Sequence, residues 1–294
     1  MKRLNKWIRV RLDAQYGKDN NAKQEHARDI KRGLCSASTT IRLEYAERND
    51  FVPTLNQIEN GLNSREWYIR KAWAARTDYS PSQKQITNGL SDMSPIRRAW
   101  AERMDWTPRP KHIIIGLHDE HWPIREIWAR RADFTPTHNQ VDEGLSDISV
   151  NVRTAWSERN DFIPTPMQIE KGLNDLDWRV RDVWASRTDF TPTRKQVDNG
   201  INDAIAIVRV KWARRTDFTP TRKQIRRLLS DLCNEVVIAC LQRMDWTHDS
   251  KQVEEGLKSH DNLIQYAWME RLKCHTEKEL EDRKDEEVEG MLSM

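Results

Sequence analysis

A period of 28 residues runs through most of this chain, and it restricts the possible folds more than any other feature. The string F-V-P-T-L-N-Q-I-E-N-G-L-N-S-R-E-W-Y-I-R-K-A-W-A-A-R-T-D begins at Phe51, and related strings begin at Tyr79, Trp106, Phe134, Phe162, Phe190, Phe218 and Trp246. Every step is 28 residues except that from Tyr79 to Trp106, which is 27. A weaker copy ends in I-R-L-E-Y-A-E-R-N-D at Asp50. About nine units therefore occupy residues 23–273. A unit this short cannot bury an apolar core alone, so neighbouring units must share one.

Each unit reads as two short helices. In the Phe190 unit, Thr191 is expected as the N-cap and Pro192 as the first helical residue, because proline lacks a donor that a helix start leaves unpaired anyway. Val197 and Ile201 recur at helical spacing and mark one buried face. Gly200 lies between them, where the two helices are expected to approach most closely; a helix end is the other reading. The second helix carries the stripe Val208, Lys211 and Trp212. Ser94-Pro95, Trp122-Pro123 and Asp177 mark starts of second helices in other units. Stacked hairpins of this kind form an all-α solenoid, a rod or arc on the order of 80 Å long at ~8–10 Å per helix layer. Residues 1–22 read as a basic N-terminal capping segment and 274–294 as an acidic C-terminal cap or tail.

The pattern D-x-x-x-x-[VI]-R before an apolar stripe occurs at Asp119 and Arg125, Asp147 and Arg153, Asp175 and Arg181, and Asp203 and Arg209. It resembles HEAT repeats and the shorter leucine-rich-variant repeats. The resemblance covers roughly residues 23–273. It implies a HEAT-like superhelix in which this Asp and Arg pair between neighbouring helices and lock the stack. Two departures stand out: the unit is shorter than a typical HEAT repeat, and tryptophan stands where a small or aliphatic residue is usual.

Side chains recurring in every unit are expected to build the joint that every unit needs. The tryptophans from Trp73 to Trp268 lie on the apolar stripe, which favours core packing over a stacking platform for bases. The arginines Arg48, Arg76, Arg103, Arg131, Arg159, Arg187, Arg215, Arg243 and Arg271 are each followed two residues later by Asp, except the last. Signs that recur in step favour an internal Arg–Asp clamp between units over a phosphate-binding stripe. The glutamines Gln57, Gln85, Gln140, Gln168, Gln196, Gln224 and Gln252 are expected to bond linker backbone.

Recognition should then rest on positions that break the repeat. Ile114 and Ile115 stand at outward positions filled elsewhere mostly by polar residues, and mark either a contact patch or local repacking. Arg194, Lys195, Arg222, Lys223, Arg226 and Arg227 form the densest basic cluster of the first helices, a solvated face or a seat for an acidic surface or nucleic acid. One second-helix position holds Lys71, Arg98, Glu126, Thr154 and Asp182, then turns apolar at Val210, Ile238 and Tyr266. These three form a partner-binding strip, or a seat for the tail. That tail, Glu277 to Glu289, has eight acidic and three basic residues with Leu280 and Val288 interspersed, and Met291 and Leu292 follow. His112, His118 and His121 read as loop residues, with no carboxylate or Cys to complete a metal set.

Composition narrows the function. The 49 basic and 46 acidic residues leave a net charge of +3, too little for a strong sequence-independent pull on phosphate backbones. The four cysteines form no C-x-x-C pair and read as free thiols of a reducing compartment. No apolar run reaches the ~20 residues that a bilayer requires, so the expectation is a soluble cytoplasmic chain. No phosphate loop, nucleophile–base pair or H-E-x-x-H is present, so neither cofactor nor metal is expected. The leading expectation is a non-enzymatic interaction scaffold that binds a protein partner through a groove or edge. The alternative is a nucleic-acid binder, and the resemblance extends in outline to HEAT-like DNA glycosylases.

Overall fold

The computed structural model describes residues 20–274, which divide after Thr135 into two compact units. No strand occurs among the described residues. In the first unit the helices are 20–34, Thr39–Glu47, Leu55–Leu62, Trp67–Ala75, Gln83–Gly89, Ser94–Glu102, Pro110–Leu117 and Trp122–Arg130. In the second unit they are His138–Gly144, Val150–Ser157, Pro166–Leu173, Trp178–Ser186, Arg194–Gly200, Ala206–Arg214, Arg222–Leu229, Asn234–Leu241, Ser250–Leu257 and 262–274. The chain is an α-solenoid of helix-turn-helix repeats. Within each unit the second helices stack on one another. In the first, Thr39–Glu47 lies on Trp67–Ala75, that on Ser94–Glu102, and that on Trp122–Arg130. First helices lie mainly against the second helix of their own repeat.

The first helix starts two residues later than expected. Thr193, not Thr191, is the N-cap of Arg194–Gly200, and its hydroxyl accepts from the Gln196 N–H at 3.3 Å. Gln196 Oε1 accepts from the Thr193 N–H at 2.8 Å in return. This capping box recurs with Thr54, Ser82, Thr137, Thr165, Thr221 and Asp249. Threonine before proline misled the reading because in this repeat two threonines flank the proline, and only the second stands three residues before a glutamine. The glutamine ladder does bond backbone, at the helix start.

The glycines are set by the tryptophans. A Cβ placed on Gly61 would lie 2.3 Å from the Trp73 ring, and one on Gly200 would lie 2.1 Å from Trp212. Side chains essentially never approach that closely, so the indole occupies the space that only glycine leaves free. Gly33 meets Tyr45 in the same way. The Tyr79 repeat loses its one residue in the linker after Asp92, and Trp100 still covers Gly89. The linker absorbs the deletion and the spine keeps its register. Trp73, Trp100, Trp128, Trp156, Trp184, Trp212 and Trp268 are all buried, as core packing requires.

Candidate interaction surface

Three side-chain ladders hold the repeats together and are engaged in doing so. The arginines at the ends of the second helices are the first. Arg76 Nη1 donates to the carbonyls of Ala46 at 2.9 Å and Arg48 at 2.5 Å, and Nη2 donates to that of Phe51 at 3.2 Å. The oxygens of Ala46 and Arg48 belong to the preceding repeat, where a helix end leaves carbonyls without partners, and that of Phe51 is at the first residue of Arg76's own repeat. The guanidinium also lies over the rings of Phe51 and Trp73, at 4.6 and 5.3 Å from their centroids. Asp78 of its own repeat neutralises it, with Oδ1 accepting from Nε at 3.0 Å. Arg103 and Arg215 repeat the arrangement. The expected clamp between units therefore exists, but the bonds across the joint go to carbonyls, and the aspartate stays within its own repeat. The heads of Arg76, Arg103 and Arg215 are buried and are not presented to phosphate.

The second ladder corrects the pairing that the family pattern implied. Arg181 does not bind the Asp175 carboxylate six residues before it. Its Nη1 donates to the Asp175 carbonyl at 2.8 Å, while Nε and Nη2 grip the carboxylate of Asp203 in the next repeat at 2.6 and 2.9 Å. Arg70 with Asp92, Arg97 with Asp119, Arg153 with Asp175, and Arg209 with Asp231 do likewise. The hydrogen-bonded Arg70 guanidinium holds the Asp92 carboxyl below its usual range. Burial pushes the Asp203 carboxyl up, but hydrogen bonds from Arg181 and the Ile205 N–H outweigh it and leave the carboxyl lowered.

The third ladder was not legible as such. Gln85 Nε2 donates to Glu59 at 2.6 Å, Gln168 to Asp142 at 2.8 Å, Gln196 to Glu170 at 3.1 Å and Gln224 to Asp198 at 2.7 Å. The acceptor is the outward polar residue of the preceding repeat. That position reads as solvated surface in the sequence because its residue type drifts among Glu, Asp, Thr, Ile and Arg. In one joint both partners change. His112 stands at the glutamine position, Thr87 at the acceptor position, and the two lie 3.1 Å apart. His112 is fully buried and its Nδ1 accepts from the Arg109 N–H at 3.3 Å, so it is a capping-box residue rather than a loop histidine. His118 and His121 flank helices as C-cap and N-cap.

The irregular positions now sort by what they touch. Ile114 is exposed at the acceptor position of the third ladder, where an aliphatic side chain can accept no hydrogen bond. Ile115 is half-buried and packs on the core with Trp128 and Ile124, so the pair is not one patch. Val210 is 5% exposed and belongs to the core with Trp212 and Val236. The strip drawn through it is broken, since Ile238 is half-buried and only Tyr266 is exposed. Val210 was misplaced because a position that is charged in four repeats and threonine in a fifth was assumed to face water in all. In the basic cluster, Arg227 donates to Asn202 Oδ1 at 2.6 Å and to Asp231 Oδ2 at 2.9 Å, and so serves the joint. Arg194, Lys195, Arg222, Lys223 and Arg226 are exposed. The acidic tail lies outside the described residues.

One exposed row was missed altogether. The residue after the second-ladder aspartate is Ile148, Leu176 and Leu232 in three repeats of the second unit, exposed to 93, 99 and 99%. Each sits at the tip of the loop between the two helices, with Trp178 partly exposed beside Leu176. The sequence signal was available: an aliphatic residue beside a conserved-in-register Asp, at a loop position held by Arg65 or Glu120 elsewhere.

With helices, joints and spine in place, the fold can be compared with solved structures. It is similar to that of a leucine-rich repeat variant. That structure, described as having a novel repetitive protein structural motif, matches with a TM-score of 0.55 at 20% identity, over 81% of this chain and 88% of its own. The likeness at this identity is one of fold. No family model and no curated protein matches the chain. No helix among the described residues is long and apolar enough to cross a membrane.

Proposed function

We propose that the chain is a non-enzymatic scaffold that binds a protein partner along the loop edge of its second unit. The observation that carries this reading is the row Ile148, Leu176 and Leu232. Aliphatic side chains exposed this fully, in three repeats along one edge with Ala204 in the repeat between Leu176 and Leu232, are surface that an apolar partner covers favourably, at about 25 cal/mol per Å². The recurrent polar side chains support it from the other side. Those of the three ladders hold joints together, and a side chain fixed in a joint is not available for acid–base or nucleophilic chemistry. Exposed Ile114 is a second, separate candidate contact in the first unit.

The test is a triple variant, Ile148→Asp, Leu176→Asp and Leu232→Asp, compared with the parent in capture from native extract with nuclease treatment in parallel. The variant is expected to keep its helical content and melting temperature and to lose the captured proteins. Retention of every captured protein by the triple variant would reject this edge as the binding surface.

A second reading rests on Arg194, Lys195, Arg222, Lys223 and Arg226. Arg194, Lys195, Arg222 and Lys223 stand in the first turns of their helices, where the helix dipole disfavours positive charge. Their placement costs local stability and favours an anionic partner, in which class nucleic acid falls. A steep fall of duplex retention with salt supports it, and no retention at low salt removes it.

A further inference from the structure

The last described repeat exposes what its predecessors cover. Met269 is 51% exposed, whereas Leu241 and Ala213, at the same position one and two repeats earlier, are 1 and 0% exposed. Leu257 is exposed where Leu145 and Ile201 are buried, and Tyr266 is exposed where Val210 is buried. This is an open apolar face at the end of a shared core.

The same helix carries an incomplete joint. Arg271 Nη1 donates to the Leu241 carbonyl at 2.9 Å and also to that of Arg243, and Nη2 donates to the Trp246 carbonyl at 2.6 Å, as the ladder requires. The carboxylate is missing. Arg243 Nε donates to Asp245 Oδ1 at 2.9 Å, but the residue two after Arg271 is Lys273. Arg271 is 3% exposed, and its Nε is buried with no hydrogen-bond partner among the described residues. Burial without that counter-charge also pushes the guanidinium below its usual range. A buried cation lacking its carboxylate is destabilising, so the vacancy has a defined chemistry: one carboxylate, beside exposed aliphatic and aromatic side chains.

The residues that follow have that chemistry. The segment 275–294 contains no further copy of the repeat; it carries the eight acidic residues of 277–289 together with Leu280, Val288, Met291 and Leu292. Six extended residues span about 20 Å, and the segment starts directly after the helix that carries Tyr266, Met269 and Arg271. We propose that residues 275–294 dock on this open face, with a carboxylate from 277–289 completing the Arg271 joint and the aliphatic residues covering Met269, Tyr266 and Leu257. The occupant is this chain's own acidic segment, chosen by charge complementarity and by its attachment at the face.

The experiment compares the full chain with one ending at Cys274, each with and without Lys273→Asp, which restores an aspartate to the ladder position. The readouts are backbone hydrogen exchange of residues 262–274 and solution mass by light scattering. Truncation is expected to speed that exchange about tenfold or more. Lys273→Asp should recover most of the loss in the short chain and change the full chain by less than about threefold. A full-length variant with the acidic residues of 277–289 replaced by Gln and Asn should show the same acceleration without loss of any chain. Unchanged exchange on both truncation and neutralisation overturns the proposal. So does a Lys273→Asp effect of equal size in both chains. A full chain that is dimeric and becomes monomeric on Met269→Asp would also overturn it, assigning the face to a second copy.

Discussion

Leu228 and Cys240 occupy the two positions at which the other repeats set a glycine beneath an aromatic ring. Both are buried in the core of the second unit, where a large residue on the first helix accompanies a small one on the second. The exchange conserves volume across the joint, which is what a close-packed interior demands.

This exchange predicts strong coupling. Cys240→Trp alone should destabilise by about 1–3 kcal/mol or more through overpacking. Leu228→Gly alone should cost about 2–5 kcal/mol through a cavity. The double variant restores the pattern of the other joints and should be more stable than either single variant. Chemical denaturation of all four chains measures the coupling, and additive losses would contradict it.

Cys240 also predicts a reactivity difference. Burial pushes its thiol up to about 12, so almost no thiolate is present near neutral pH. Cys35 is exposed. Alkylation of the folded chain at pH 8, read by mass spectrometry, should label Cys35 and leave Cys240 unmodified until denaturant is added.

His112 predicts an acid sensitivity that its glutamine counterparts lack. Burial, together with the charges of Lys111 and Arg109, holds the imidazole below its usual range. The unfolded chain, with a histidine near 6.5, therefore binds more protons than the folded one in mildly acidic solution. Stability present at neutral pH should fall as the pH drops below about 6.5. His112→Gln keeps a side-chain acceptor for the Arg109 N–H and does not titrate, so its melting temperature should fall less between pH 7 and 5. Asp92, held low by Arg70, remains ionised through that window, and the joints it serves weaken only at lower pH.

The arginine staples predict a sharp distinction between cations. Arg215 bonds the carbonyls of Ala185 and Phe190, each at 3.1 Å, lies over the Phe190 ring at 4.7 Å and pairs with Asp217. Lysine carries the charge without the planar fork. Arg215→Lys should cost about 2–4 kcal/mol, since most of the buried bonds are lost while Asp217 remains. A loss below about 0.5 kcal/mol in thermal or denaturant unfolding would show that charge alone suffices.

Periodicity made the architecture legible before any coordinates. The repeat length, the two helices and the buried tryptophans all follow from residues that recur with little variation. The recurrent glycine read as a point of close helix approach or a helix end, and the indole that requires it is seen only in the packing. What stayed hidden were contacts between residues of different repeats. The Arg181 side chain was matched with the upstream aspartate of the repeat pattern, Asp175, because sequence shows spacing and not which carboxylate a guanidinium can reach. Glu59 and Gln85 looked unrelated because one drifts in type while the other is constant. Val210 was taken for surface by analogy with charged counterparts, and only packing reveals that it has turned inward. Ile148, Leu176 and Leu232 lie in loops, where no helical periodicity marks a side chain as out of place, although recognition residues commonly sit on loops.

The staple of Arg76 onto Ala46, Arg48 and Phe51 reaches 30, 28 and 25 residues back along the chain. Its bonding register is therefore the register of the sequence period itself. Within each unit, gain or loss of one whole period by unequal recombination would hand every arginine a new but chemically identical set of acceptors. A change of any other length outside the linkers would leave a guanidinium facing the wrong carbonyls. Array length can thus evolve in whole-repeat steps without redesign of a single joint.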